Sequence, residues 1–157
     1  MSLNFPVTLV VPILNEAESL PELLRALKLQ SHLPDEIIFS DAGSSDGSPA
    51  LIEAWWRDDG WEHGSCSVLS RPGAMPGAGR NAGVCAARND WIAFIDGGIT
   101  PASDWLEQLC RHALEKKPPA IFGLCHFSAQ APFACDTLFP ADLLKRQFVA
   151  LDYRETA

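Results

Sequence analysis

Residues 7–24 read VTLVVPILNEAESLPELL, and the fold is decided where the pattern changes inside them. VTLVV, residues 7–11, is a continuous apolar, β-branched run that begins after Pro6 and stops at Pro12, the pattern of a strand buried on both faces. Such a strand requires helices above and below it. After the polar loop PILNEAE, Leu20, Leu23, Leu24 and Leu27 recur at helical spacing to about Leu29, and Ser19 stands to Glu22 as in a capping box. Strand, loop and amphipathic helix in this order open a βαβ unit.

The alternation continues along the chain. EIIFSD (36–41) reads as a second strand, and AGSSDGSP leads to Pro49 as the first-turn residue of a helix through Trp56. CSVL (66–69) is a short third strand. Gly77, Gly79 and Gly83 then lie in or before an alanine-rich helix expected over about 78–89. Each glycine weakens a helix by about 1 kcal/mol relative to alanine, so the cluster points to close backbone approach to a sheet or ligand, or to a loop running as far as Gly79. WIAFID (91–96) is the fourth strand. Pro101 or a cap at Ser103 opens a helix carrying Leu106, Leu109, Cys110, Ala113 and Leu114, and AIFGL (120–124) is a fifth strand. The order βαβαβαβαβ predicts an α/β domain with a mostly parallel, Rossmann-like sheet, helices on both faces and ligands outside the carboxyl ends of the strands. Residues 126–157 show a helical pattern at 140–151 and no clear further strand. Residues 1–157 read as one domain.

Composition narrows the function classes. A chain of 157 residues that is 47% hydrophobic, with five Trp and eight Phe, builds a core without a metal or disulfide staple, removing roughly two-thirds of its unfolded surface from water. Twelve basic against 20 acidic residues, a formal charge of -8, argue against a nucleic-acid surface, and Lys116-Lys117 is the one dense basic patch. Five cysteines, an odd number with no C-x-x-C pair, suit a reducing compartment, so a cytoplasmic protein is expected, with Cys66, Cys85, Cys110 and Cys125 buried as small hydrophobes. The apolar run near the N-terminus is too short to cross a bilayer, and no positively charged segment precedes it.

The chemistry falls on carboxylates at strand ends. Three polar loops, Pro12 to Glu16, Asp41 to Asp46 and Asp96-Gly97-Gly98, follow strands that the topology would bring side by side. Asp41 either accepts hydrogen bonds from a base or ribose or closes an Asx-type turn on its own loop. Asp46, in an Asp-Gly pair before Ser48-Pro49, suits a turn. Asp96 ends a buried strand and either holds a divalent ion on a diphosphate or caps its turn. Arg71 and Arg80 are candidates for phosphate oxygens, and Asn81 for sugar hydroxyls or loop backbone. The Walker A, H-E-x-x-H and G-x-S-x-G patterns are absent, and no G-x-G-x-x-G follows the first strand; PGAGRNAG imitates that fingerprint after the wrong strand.

Taken in order, VVPILNEAESLPELLRAL, DEIIFSDAGSSDGS, GAGRNAGVCAARNDWIAFIDGG and PASDWLEQL resemble the N-terminal, nucleotide-binding half of inverting GT-A glycosyltransferases of family 2, over about residues 6–115. The resemblance implies a GT-A fold apparently shortened after the donor-binding half. It implies a nucleotide site near Pro12, Asn15, Glu16 and Asp41, with Gly79, Asn81 and Gly83 in the matching Gly/Ala-rich helix. It also implies Mg²⁺ or Mn²⁺ at the aspartate motif, here Asp96, with a nucleotide diphosphate sugar as donor and an acceptor hydroxyl. The usual Asp-x-Asp stands here as Asp96-Gly97-Gly98, without its last carboxylate. None of Asp136, Asp142 and Asp152 carries the surroundings of the family's acceptor-side base. A nucleotide-sugar-binding module without catalysis is therefore the other reading, and a homo-oligomer would cover apolar edges left by a missing half.

Overall fold

The computed structural model describes residues 4–58, 61, 63–116, 121–122 and 137–140. The chain runs β1 (Val7–Ile13), α1 (Leu20–Lys28), β2 (Glu36–Asp41), α2 (Ser48–Asp58), β3 (Ser65–Ser70), α3 (Pro76–Ala86), β4 (Trp91–Phe94), α4 (Trp105–Lys116), β5 (Ile121–Phe122) and β6 (Thr137–Pro140). The six strands form one sheet in the order β3-β2-β1-β4-β6-β5. β1 pairs in parallel with β2 and β4, and β2 in parallel with β3. The α/β fold with a mostly parallel, Rossmann-like sheet is thus as the alternation predicts.

Two cores divide the sheet faces. Val7, Leu9, Val11 and Ile13 of β1, with Ile37 and Phe39, pack against Leu20, Leu23, Leu24 and Leu27 of α1, Ile52 and Trp55 of α2, and Leu106, Leu109 and Cys110 of α4. On the opposite face Val10, Ile38, Ile92 and Phe94 meet Val84 and Ala87, so among the described helices α3 covers that side. The alternation of β1 residues between these clusters is the period-two consequence of a strand buried on both faces. α3 comes very close to the sheet: a Cβ on Gly83 would stand 2.4 Å from Val10 Cγ1, and one on Gly79 would stand 3.2 Å from Ser40 Oγ. Close approach, and not a flexible loop, is what these two glycines provide.

Several local expectations change. β1 continues through Pro12 to Ile13, where a loop was expected to start. Val10 turns its carbonyl to Ile95 of the β4 side, so Pro12, two residues on, points its nitrogen the same way, past the last β1–β4 pair at Val10↔Phe94. Its missing N–H therefore breaks no ladder bond. The capping box does not form. Ser19 is helical (φ −87°, ψ −31°) and its hydroxyl donates to Glu16 Oε2 at 2.6 Å. α3 spans Pro76–Ala86 instead of 78–89, starting on a proline and stopping where Ala87 becomes extended. The Arg88 N–H then goes to Glu36 Oε2 at 2.9 Å, and that buried carboxylate also accepts from Thr8 Oγ1. Cys66 and Cys110 are buried as expected, but Cys85 is exposed because α3 turns Gly83, Val84 and Ala87 toward the sheet.

The larger correction is β6, a strand where none was expected. It lies antiparallel between β4 and β5, with Trp91↔Pro140 and Ile121↔Leu138 as register pairs. Residue 140 is consequently in a strand, while the rest of the expected helix over 140–151 lies outside the described residues. Cys125, Cys135, Asp136, Asp142 and Asp152 lie outside them as well.

Side chains lock the loops at the carboxyl end of the sheet. The Asn15 N–H donates to Ser44 Oγ (2.9 Å), Glu16 N–H to Ser48 Oγ (2.9 Å), and Ala17 N–H to Asp46 Oδ2 (2.8 Å). In return Ser45 N–H donates to Asn15 Oδ1 at 2.8 Å. The loops after β2 and β3 join through Arg71 N–H to Asp41 O (2.7 Å) and Gly73 N–H to Ala42 O (2.8 Å). Gly43, at φ +100°, lies against Pro72 there. The Ser48 hydroxyl and then the Ala17 N–H hold the Asp46 carboxyl below its ordinary value of 3.8.

Two outcomes follow from this packing. Gly83→Ala forces a methyl into Val10, so overpacking of about 1–3 kcal/mol outweighs the helix-propensity gain of about 1 kcal/mol and the melting temperature falls. Gly77→Ala, where a Cβ meets nothing within 4 Å, leaves it unchanged or raises it. Equal melting temperatures for Gly83→Ala and the parent would remove the close-approach argument. Because its folded pKa is depressed, Asp46 contributes stability that is present above its unfolded pKa and is lost as pH falls through the folded value. Asp46→Ala should therefore melt below the parent at neutral pH, and the gap should narrow as the pH falls below the ordinary carboxylate range; a gap undiminished by acid would contradict this.

Candidate functional site

The strand order places the site. The chain moves from β1 outward to β2 and β3, then returns to the other side of β1 for β4, so the connections diverge between β1 and β4. At such a switch point the loops following the strands part and leave a crevice. By that rule the crevice falls beyond the last β1–β4 pair, Val10↔Phe94, next to Pro12, the loop after Ile13 and Asp96.

Each expected residue has a definite place. Pro12 lies half-buried under α3, 3.8 Å from where a Cβ on Gly79 would stand. Asn15 adopts φ 55°, a left-handed conformation that asparagine tolerates, and its side-chain oxygen is engaged by Ser45. Asn15 thus shapes the first loop whatever else it contacts. Glu16 accepts the Ser19 hydroxyl and lies against Gly97, where an added Cβ would meet Glu16 Cγ at 3.0 Å. A side chain at position 97 would require Glu16 and Ile13 to give by a few tenths of an ångström.

Asp41 closes β2 and is only 5% exposed. Its Oδ1 accepts Ser44 N–H at 3.0 Å, the Asx-type contact that was one of its two readings. Asp46 combines a turn contact, through Ser48 N–H on Oδ1, with the bridge from Oδ2 to the first loop. Asn81 is half-buried on α3 beside Arg80, and Arg71 is exposed after β3.

The pair that separate consideration of the residues missed is Arg80 with Asp96. Arg80 Nη2 donates to Asp96 Oδ1 in an ion pair whose two side chains are each 32% exposed. The signal was present in part: both residues were candidates for a diphosphate, one as its cation and the other as the ligand of its cation. Their sequence separation of 16 hid the contact. Partial exposure leaves both groups within reach of a ligand. Among the described residues no group of three His, Cys, Asp or Glu side chains is placed to hold a metal ion. No helix among them is long and apolar enough to cross a membrane.

Comparison with known proteins gives this geometry its context. The pre-mycofactocin glycosyltransferase of Mycobacterium tuberculosis is 35% identical over 107 residues, 68% of this chain and 20% of the relative. The succinoglycan biosynthesis protein ExoO of Rhizobium meliloti is 32% identical over 107 residues, 68% of this chain and 29% of the relative. The chain therefore spans about a fifth to a third of these relatives. Among solved structures, S. aureus TarS 1-349 in complex with UDP-GlcNAc superposes with a TM-score of 0.74 at 16% identity, covering 92% of this chain and 48% of that one. The mannosyltransferase PcManGT from Pyrobaculum calidifontis, in complex with GDP-Man and Mn²⁺, superposes with a TM-score of 0.75 at 18% identity, covering 92% and 47%. These two likenesses establish the GT-A-type fold. The sequence model of glycosyl transferase family 2 matches residues 8–133, most of the chain, and the protein belongs to that family.

Proposed function

We propose that this chain forms the nucleotide-sugar-binding half of an inverting glycosyltransferase. What supports the reading is a family 2 chain whose strand order reverses beside β1, with Pro12 and Asp41 at the ends of β1 and β2 and Asp96, just past β4, ion-paired with Arg80. The solved complexes with UDP-GlcNAc and GDP-Man, on the same fold, support a nucleoside diphosphate sugar as donor.

In this reading the loop from Pro12 to Glu16 and the end of β2 receive the nucleoside. Asp41 is almost fully buried and fixed by Ser44, so its carboxylate accepts from a base N–H or ribose hydroxyl without first losing conformational freedom. Asn81 serves sugar hydroxyls, and Arg80 with Asp96 face the diphosphate. Transfer breaks the bond between the anomeric carbon and the diphosphate oxygen, which leaves with the electron pair. The acceptor oxygen forms the new bond from the opposite face, and its proton passes to an acceptor-side carboxylate. No described residue is assigned that last role.

The fit of a divalent ion to Asp96 is poor on the donor set present. An oxygen-seeking ion is held by carboxylates, carbonyls, waters and substrate phosphates. At this motif two glycines follow the single carboxylate, and that carboxylate is already paired with a guanidinium. No step is therefore drawn through an ion. The same arrangement favours a second reading, a module that binds nucleotide sugar without transferring it.

Titration calorimetry with UDP, GDP and their sugars tests the donor assignment, with binding expected for one nucleotide series. Asp41→Ala should weaken that binding by about tenfold or more, the range of a hydrogen bond to a charged group. Absence of binding to either series at millimolar ligand would defeat both readings. Release of nucleoside diphosphate together with a glycosylated product, across a panel of acceptors, separates transferase from binding module.

A further inference from the structure

We infer that the guanidinium of Arg80, fixed on Asp96, is the cation that meets the diphosphate in this protein, in the place where a divalent ion would otherwise sit. The inference rests on the nucleotide-sugar reading of the crevice and deepens it by naming what neutralises the phosphates.

Three observations converge on it. Asp96 and Arg80 form an ion pair just past the carboxyl end of β4, and both side chains remain about one-third exposed. A dication placed on Asp96 would have to displace that guanidinium or accept its repulsion at close range, so the pair resists an ion there. The carboxylate that would compensate is absent: position 98 is glycine, and the neighbouring carboxylate, Glu16, accepts the Ser19 hydroxyl.

The placement of Arg80 is also built rather than incidental. It follows Gly79 on the helix that Gly79 and Gly83 allow down onto β1 and β2. That approach brings a planar five-donor group to the level of the strand ends, and Asp96 engages one Nη while the fork retains donors for phosphate oxygens. Guanidinium matches phosphate geometry in a bidentate manner and is charged at all relevant pH, so it supplies positive charge without a bound ion.

The local space makes a converse experiment available. A Cβ at Gly98 would meet nothing closer than Glu16 Oε2 at 3.8 Å, so a side chain fits there. Gly98→Asp adds a carboxylate beside Glu16 and restores the spacing Asp-x-Asp, and combined with Arg80→Ala it exchanges the fixed cation for a place to bind one.

Calorimetric titration of the full chain with UDP and GDP, in EDTA and in millimolar MnCl₂, provides the test. The parent should bind its preferred diphosphate equally in both buffers, within about twofold. Arg80→Ala should lose about tenfold or more in both, while the matching nucleoside without phosphates binds as before. Arg80→Lys, which keeps the charge and loses the fork, should fall between them and guards against a folding defect in the alanine variant, as does circular dichroism of each protein. The double variant Arg80→Ala, Gly98→Asp should regain diphosphate affinity in MnCl₂ and not in EDTA. Parent binding that strengthens about tenfold on adding Mn²⁺, or an Arg80→Ala variant that binds like the parent in EDTA, overturns the inference while leaving the nucleotide reading intact. A parent that binds no diphosphate in either buffer overturns the nucleotide reading and this inference with it.

Discussion

The contact between Gly83 and Val10 governs much of what surrounds it. Only a residue without a Cβ lets α3 settle at that distance from β1, and α3 is the sole described helix on its face of the sheet. Val84 and Ala87 close the smaller core from that position, and the end of the helix hands the Arg88 N–H to the buried Glu36. At the other end of the sheet the same approach carries Arg80 to Asp96. One steric allowance thereby fixes a core, a buried carboxylate and the charge arrangement of the crevice.

The loops at the crevice derive their shape from side chains more than from backbone pairing. Ser44, Ser48 and Asp46, which follow β2, receive the N–H groups of residues 15, 16 and 17, which would otherwise remain unpaired where the first loop turns toward α1, and Asn15 returns a contact to Ser45. These residue types suit that work because their short polar groups reach nearby backbone at little entropic expense. A ligand entering the crevice therefore meets walls that are already set, and the ordering cost of binding falls mainly on the ligand.

Much of this was legible along the chain because it is locally encoded. VTLVV and EIIFSD declare strands by β-branched apolar runs, and the leucines of α1 declare a face by spacing; the structure keeps each within two residues. The three crevice loops followed from strand order alone. What escaped depends on partners distant in sequence. Ser19 has the letters of a capping box, yet Glu16 takes its hydroxyl. Pro12 looked like a terminator, and only the early departure of β4 explains how a strand continues through it. TLFP (137–140) is too short and too plain to announce a strand, and becomes one by lying between β4 and β5. Arg80 and Asp96 were each read as facing a ligand, whereas they first face one another.

The insertion of β6 has a further consequence for how the domain comes into being. β4 and β5 are joined through α4 as consecutive strands, yet neither touches the other until residues 137–140 arrive to fill the gap. A nascent chain can assemble β1, β2, β3 and β4 from short-range crossovers, but its sheet then carries an open flank along β4. Pairing that flank requires a segment more than 40 residues later, Trp91 with Pro140, a closure of high contact order. During synthesis the crevice-bearing half thus precedes the element that completes its sheet, and the interval between them is when the unpaired edge of β4 is exposed to other chains.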